Sequence, residues 1–299
     1  MKYDLIIIGA GPAGLTAGIY ATRSGMKTAI ISKDIGGTAN TILKLENWPG
    51  YSGTGTELMK KFYEQLKKYD VEIITEEVVN IEKKGKDFFI KTSKKELNSA
   101  SLILATGSIR RNLKIPGEER LKGKGVSYCA TCDSFFFKNR VVAVIGGSDC
   151  AVGSAIALAN IAKKVYILYR GEKLRCENIN LEKVKSDDKI EAVYNVVPKE
   201  IKGKDKVESL VFEKKGKSEE IKLDGIFIEI GSSPLTEFTK ELKLKLDENN
   251  YIIVDEEMNS SVAGIFAAGD VTNSKLKQVL TASAQGAIAA KNVLNWLKK

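Results

Sequence analysis

The stretch DLIIIGAGPAGLTAGIYATRSGMKTAIISK, residues 4–33, decides the fold. The apolar run Leu5–Ile8 leads straight into Gly9, Gly11 and Gly14; the pattern then turns helical before a second apolar run, Ala29–Ile31. A continuous apolar run suits a parallel strand buried on both faces, and small residues such as Ala13 and Ala17 let helix and strand approach closely. Strand, G-x-G-x-x-G turn and helix in this order read as a dinucleotide-binding unit, with backbone N–H groups at the helix start facing a pyrophosphate.

The unit recurs. VAVIGGSDCAVGSAIALANIAKKVYILYR, residues 142–170, aligns with the first stretch without a gap, Gly146 standing where Gly9 stands. Only that first glycine of the strict pattern remains, followed by Gly147, Ser148, Asp149 and Ala151. Ser148 can make the turn with less freedom of φ. Farther along, LILATGS (102–108) and GIFAAGDV (264–271) each read as an apolar strand running into a small-residue turn. Asp270 at such a turn suits either a bound polyol or the N-cap of a following helix. Breaks in composition near RNLKIPGE (111–118) and GSSPLTEF (231–238) predict that the second unit is inserted into the first. The expected architecture is therefore α/β and three-layered, with two Rossmann-like dinucleotide-binding domains, one over 1–113 and 237–299 and the other over 114–236.

At 299 residues the chain is long enough for two domains, and its net charge of +9 is spread among acidic residues, as in EKKGKSEEIK (213–222). No basic block or aromatic-interleaved motif points to nucleic acid, and no run reads as a membrane span or signal peptide, so a cytoplasmic protein is expected. The absence of histidine removes Ser-His-Asp and Cys-His catalysis and every histidine-containing metal site. Any general acid must come from Asp, Glu, Lys, Tyr or Cys.

Seven motifs, in order, complete the pattern: GAGPAG (9–14), GG (36–37), ENWPG (46–50), ATG (105–107), CATCD (129–133), GIFAAGD (264–270) and KQV (277–279). With them the whole chain resembles the low-molecular-weight thioredoxin reductases, a flavoprotein disulfide reductase family. The resemblance implies FAD in the first domain, with Gly9, Gly11, Pro12, Ala13 and Gly14 around its pyrophosphate. Asp34 is the candidate ribose acid, and Gly37, Asn47, Ala105, Thr106 and Gly107 are further FAD contacts, as are Gly269, Asp270, Lys277, Gln278 and Val279. It implies NADPH on the second unit, at Gly146, Gly147, Ser148, Asp149, Ala151, Arg170 and Arg175.

Within that frame Cys129-Ala130-Thr131-Cys132 is read as a redox centre. Zinc needs four ligands, and the other cysteines, Cys150 and Cys176, form no second C-x-x-C. A purely structural disulfide is out of place in a cytoplasmic chain. The family pattern makes Cys132 the flavin-facing sulfur, Cys129 the sulfur that attacks the partner, and Asp133 the acid that protonates the leaving thiolate. Cys150 and Cys176 receive no role. The implied partner is thioredoxin or a thioredoxin-like, glutaredoxin-like disulfide protein, and the implied assembly a homodimer.

Two departures bear on the electron donor. The Glu-Glu pair that usually follows the second nucleotide turn is replaced by Gly153 and Ser154, and the 2′-phosphate motif His-Arg-Arg, three residues, Arg is here Tyr169, Arg170, Gly171 and Arg175. The expectation is a thioredoxin-disulfide reductase with a blunted preference for NADPH. Its alternatives are the same flavin and dithiol chemistry fed by ferredoxin or another donor, and a small-molecule dithiol oxidase.

Overall fold

The structure, a computed structural model, describes residues 2–42 and 45–298; the side chains of Glu46 and Thr131, inside two of the motifs above, lie outside the described residues. The chain divides into two compact units, Met1–Ile109 with Ser233–Lys299, and Arg110–Ser232.

The first unit opens with β1 (Lys2–Ala10), α1 (Pro12–Arg23) and β2 (Thr28–Ile35). There follow the hairpin β3 (Leu45–Trp48) and β4 (Tyr51–Gly53), α2 (Gly55–Leu66), β5 (Val71–Ile74), β6 (Val78–Lys84), β7 (Asp87–Thr92), β8 (Glu96–Leu104) and β9 (Ser108–Arg110). Its main sheet has the order β5-β2-β1-β8-β7-β6. The first four of these are parallel, with Ile7 opposite Ile30 on one side and Ile103 on the other. The run Leu5–Ile8 is wholly buried because both faces are covered. Leu5 and Ile7 enter one apolar cluster with residues of α1, while Ile6 and Ile8 enter a second on the opposite face. Each such side chain contributes roughly 1.5–3 kcal/mol by leaving water.

The second unit runs β10 (Val126–Ser127), the short α3 (Ala130–Asp133), β11 (Val141–Ile145), α4 (Asp149–Ala159), β12 (Lys164–Tyr169), α5 (Asn178–Ser186) and β13 (Ile190–Tyr194). An antiparallel meander follows, β14 (Val196–Lys202), β15 (Ser209–Lys214) and β16 (Lys217–Lys222), before β17 (Gly225–Ile228). The parallel sheet has the order β10-β17-β11-β12-β13. Val142 and Val144 of β11 pack with α4, and Ala143 and Ile145 pack with residues of the meander such as Leu210 and Phe212. Strand β11 is thus covered by helix on one face and by sheet on the other.

The chain returns through β18 (Ser232–Pro234), which pairs with β9, and closes the first unit with β19 (Ile265–Ala267) and α6 (Val279–Leu297). Strand β19 adds to β8 in parallel, Phe266 opposite Ile103. No helix among the described residues is long and apolar enough to cross a membrane.

Candidate active site

In the first unit the β1–α1 turn is built by steric necessity. Gly9 has φ +107°, and a Cβ on Gly14 would land on the Gly9 carbonyl oxygen. Gly11 serves neither purpose: a Cβ there would have its nearest neighbour, the Gly36 oxygen, at 4.0 Å. It stands at the N-cap of α1, where no side-chain cap bond is made among the described residues and Pro12 brings no N–H. Open space, uncapped backbone N–H groups and the positive end of a helix form a cradle that suits a pyrophosphate.

Of the other residues expected at the flavin, Asp34, Gly37, Ala105 and Gly269 lie against this turn, and the rest bond among themselves or to nearby loops. The Gly36 amide donates to the Ala10 oxygen at 2.7 Å, which sets Gly37 beside Gly11: a Cβ on Gly37 would lie 3.5 Å from the Gly11 Cα. Asp34, near the end of β2, accepts from the Gly37 N–H at 3.1 Å and so shapes this loop as well as facing it. Ala105 abuts Gly9, and Gly269 sits against Ala13. Lys277 donates to the backbone oxygens of Asp270 and Thr272 at 2.8 and 2.9 Å, and its ammonium lies 3.6 Å from the centre of the Tyr251 ring. Asn47 donates to the Gln278 side chain at 2.9 Å, just ahead of Val279, which opens α6. Thr106 and Gly107 bond to Leu235, tying the chain's two crossings together. The N-cap of α6 is Gln278, and Asp270 caps no helix: a turn follows it.

In the second unit Gly146 has φ +149° and leaves no room for a Cβ beside the Glu229 carbonyl and Ala151. Ser148 has φ −88°, so the third position of this turn makes no demand for glycine. Arg175 is drawn to the turn by its own amide, which donates to the Gly147 oxygen at 2.7 Å, and its guanidinium lies 5.9 Å from the centre of the Tyr169 ring. Arg170 is exposed just past β12. Asp149 accepts from the Glu177 amide and the Asn180 side chain, at 2.8 and 3.2 Å, and so anchors the start of α5.

Cys129 and Cys132 form a disulfide, with Cα atoms 5.3 Å apart. Cys129 is the N-cap of α3, and the Cys132 amide donates to its sulfur at 3.2 Å. Asp133 accepts from the Ser127 hydroxyl at 2.7 Å, and the Cys129 amide donates to that same hydroxyl at 3.1 Å. Burial pushes the Asp133 carboxyl above its ordinary value, and the Ser127 hydrogen bond pulls it partly back. A carboxyl that keeps its proton more readily, one residue from a reducible disulfide, is suited to act as an acid for a departing thiolate.

The model of the pyridine nucleotide-disulphide oxidoreductases matches residues 3–286. The chain belongs to the pyridine nucleotide-disulphide oxidoreductase family. Relatives in the family include a thioredoxin reductase of Peptoclostridium acidaminophilum, 42% identical over 96% of this chain and 95% of its own. Another is the thioredoxin reductase of Bacillus subtilis, 38% identical over 99% and 95%. Among solved structures, a thioredoxin reductase from Streptococcus pyogenes superposes with a TM-score of 0.92 at 40% identity, over 99% of this chain and 98% of that one.

Two residues of the site escaped the sequence reading. Ser127 is one, a serine among many. Glu229 is the other, and its carboxylate meets the Ala130 amide at 3.5 Å. Cys150, read as an ordinary small residue, is exposed as a whole, yet its thiol turns to Glu229 at 3.6 Å, and burial pushes it up to about 11.

Proposed function

We propose that this chain is an FAD-dependent thioredoxin-disulfide reductase that takes electrons from NADPH and passes them through Cys129 and Cys132 to the disulfide of thioredoxin or a thioredoxin-like protein. The single observation that carries the reading is the Cys129–Cys132 disulfide beside Asp133, whose carboxyl burial raises, in a chain with two nucleotide turns. The first unit is read as the flavin side and the second as the NADPH side, in a cytoplasmic homodimer.

Gly11 and the start of α1 would hold the flavin's pyrophosphate, and Gly147, Ser148, Arg170 and Arg175 would hold NADPH. Bound flavin supplies the two-electron relay between a hydride donor and a disulfide, chemistry that no side chain offers. In the dithiol form, the Cys129 thiolate accepts from the Cys132 N–H and attacks one sulfur of the partner's disulfide. The partner's other sulfur leaves as a thiolate and takes the Asp133 proton. Cys132 then attacks Cys129, which releases the partner's second thiol and restores the disulfide with both electrons transferred.

The test is anaerobic mixing of the oxidised, flavin-loaded protein with NADPH, NADH or reduced ferredoxin, followed by thioredoxin. Rapid bleaching of flavin absorbance by NADPH and free thiols on thioredoxin are the expected results. Bleaching by ferredoxin alone would move the donor. Colourless protein that takes up no FAD would end the reading.

A further inference from the structure

Behind the redox helix lies a carboxylate that the reaction just described does not use. Glu229 follows β17, and its side chain is 4% exposed. One oxygen accepts from the Ala130 amide at 3.5 Å and the Ser154 hydroxyl at 3.3 Å; the other faces Arg110 at 3.5 Å and the Cys150 thiol at 3.6 Å. All four partners can donate, and Arg110 and the Ala130 N–H can do nothing else, so the surroundings suit the anion. Burial is the larger effect and raises the Glu229 carboxyl above its ordinary value, while Arg110 and the hydrogen bonds from Ala130, Cys150 and Ser154 pull it partly back.

Where the resemblance calls for two carboxylates on α4, this chain has Gly153 and Ser154. A Cβ on Gly153 would meet nothing within 4 Å, and Ser154 turns its hydroxyl to Glu229. Glu229, just past β17, brings one carboxylate against α4 through that hydroxyl.

We propose that Glu229 is a positioning residue of the redox centre: its carboxylate holds the first turn of α3 through the Ala130 N–H and, as a fixed negative charge behind Cys129, restrains ionisation of that thiol. The proposal rests on the reading of Cys129 as the attacking sulfur. Four covalent bonds separate the Ala130 nitrogen from the Cys129 sulfur, so the carboxylate lies within about 8 Å of it. At that range, in a half-buried setting and opposed by Arg110, one charge shifts a thiol by about one pKa unit, or about tenfold in thiolate. Of the other charged or titratable groups nearby, Asp133 on α3 is joined to the Cys129 amide through Ser127 and Cys150 on α4 faces Glu229, while Glu118 is turned to Tyr128 and the Leu113 and Lys114 amides. The Asp149 carboxylate is turned to Glu177 and Asn180. The Cys132 N–H favours the Cys129 thiolate and Glu229 opposes it. That balance matters because a thiol whose pKa falls far below ambient pH loses nucleophilicity.

The test uses flavin-loaded Cys132→Ser protein, in which the pH dependence of iodoacetamide alkylation, followed on the Cys129 peptide, gives the pKa of that thiol. Adding Glu229→Gln keeps an acceptor for Ala130 and Ser154 but removes the charge, and should lower the pKa by about one unit. Glu229→Asp keeps the charge and should stay near the parent. An unmoved or raised pKa in Glu229→Gln overturns the proposal. Should that variant not fold, reduction of the disulfide in Asp133→Asn protein must shift a carboxyl band in difference infrared spectra, and an unchanged spectrum overturns it equally. A native enzyme that fails to turn over thioredoxin would count against the reading as a reductase, and the pKa comparison would still decide this proposal.

Discussion

Asp133 carries two roles whose pH dependences share a cause. Burial raises its carboxyl, so the proton needed for a departing thiolate is lost as pH rises through that raised value. Disulfide exchange should therefore slow along an alkaline limb. Asp133→Asn should flatten that limb and slow exchange by about a hundredfold, measured as thioredoxin turnover across pH. The same shift acts on stability. A group whose folded pKa is raised favours folding while protonated, below its unfolded value, and loses that contribution as pH rises through the folded one. Asp133→Asn should accordingly raise the urea midpoint at neutral pH more than in acid. Replacing Cys129 or Cys132 with serine should abolish thioredoxin reduction yet leave bound flavin reducible by its donor, which anaerobic absorbance checks; loss of both would mean that the sulfurs serve the fold.

At the level of elements, the glycines divide into those that the fold requires and those, such as Gly153, that it does not. Gly14 faces the Gly9 carbonyl and Gly286 of α6 faces the Ala13 carbonyl, each too closely for a methyl group. Gly14→Ala should cost about 3 kcal/mol or more in chemical unfolding, because helix and strand would have to part. Gly153, inside α4 with open space beside it, should gain about 0.5–1 kcal/mol as Gly153→Ala. This contrast explains what could be read in advance. The strand–turn–helix units were legible because their contacts are local and glycine marks them, and the strands at LILATGS and GIFAAGDV stand in the structure as β8 and β19. The antiparallel meander β14–β16 drew no expectation, since β14 and β16 are largely exposed and β15 offers an apolar run of only Leu210, Val211 and Phe212. Glu229 was illegible for another reason: it meets Ala130 across 99 residues of sequence, and neither neighbourhood contains a sign of the other. Asp270 was ambiguous in the sequence because an aspartate at a small-residue turn serves a cap and a ligand equally well.

For the molecule as a whole, the open quantity is how well the second unit selects its donor. Arg170 and Arg175 are two exposed cations beside the glycine turn, with Gly171 in place of a third. An arginine there favours a 2′-phosphate, and a charge-assisted contact contributes roughly 1.5–3 kcal/mol. NADPH should be preferred over NADH, and Arg170→Ala and Arg175→Ala should each erode the ratio of flavin reduction rates by about tenfold. Equal rates with both nicotinamides in the native protein would contradict this. The nesting of one unit inside the other also imposes an order in time. A ribosome makes β1 first, yet β19 and α6, which complete the unit that β1 begins, come only after the last residue of the inserted unit, Ser232. All of the inserted unit is available to fold during synthesis, while the surrounding unit waits with its sheet incomplete and the apolar surface of α1 uncovered by α6. The half of the enzyme begun first is the half finished last, and newborn chains are most exposed to aggregation in that interval.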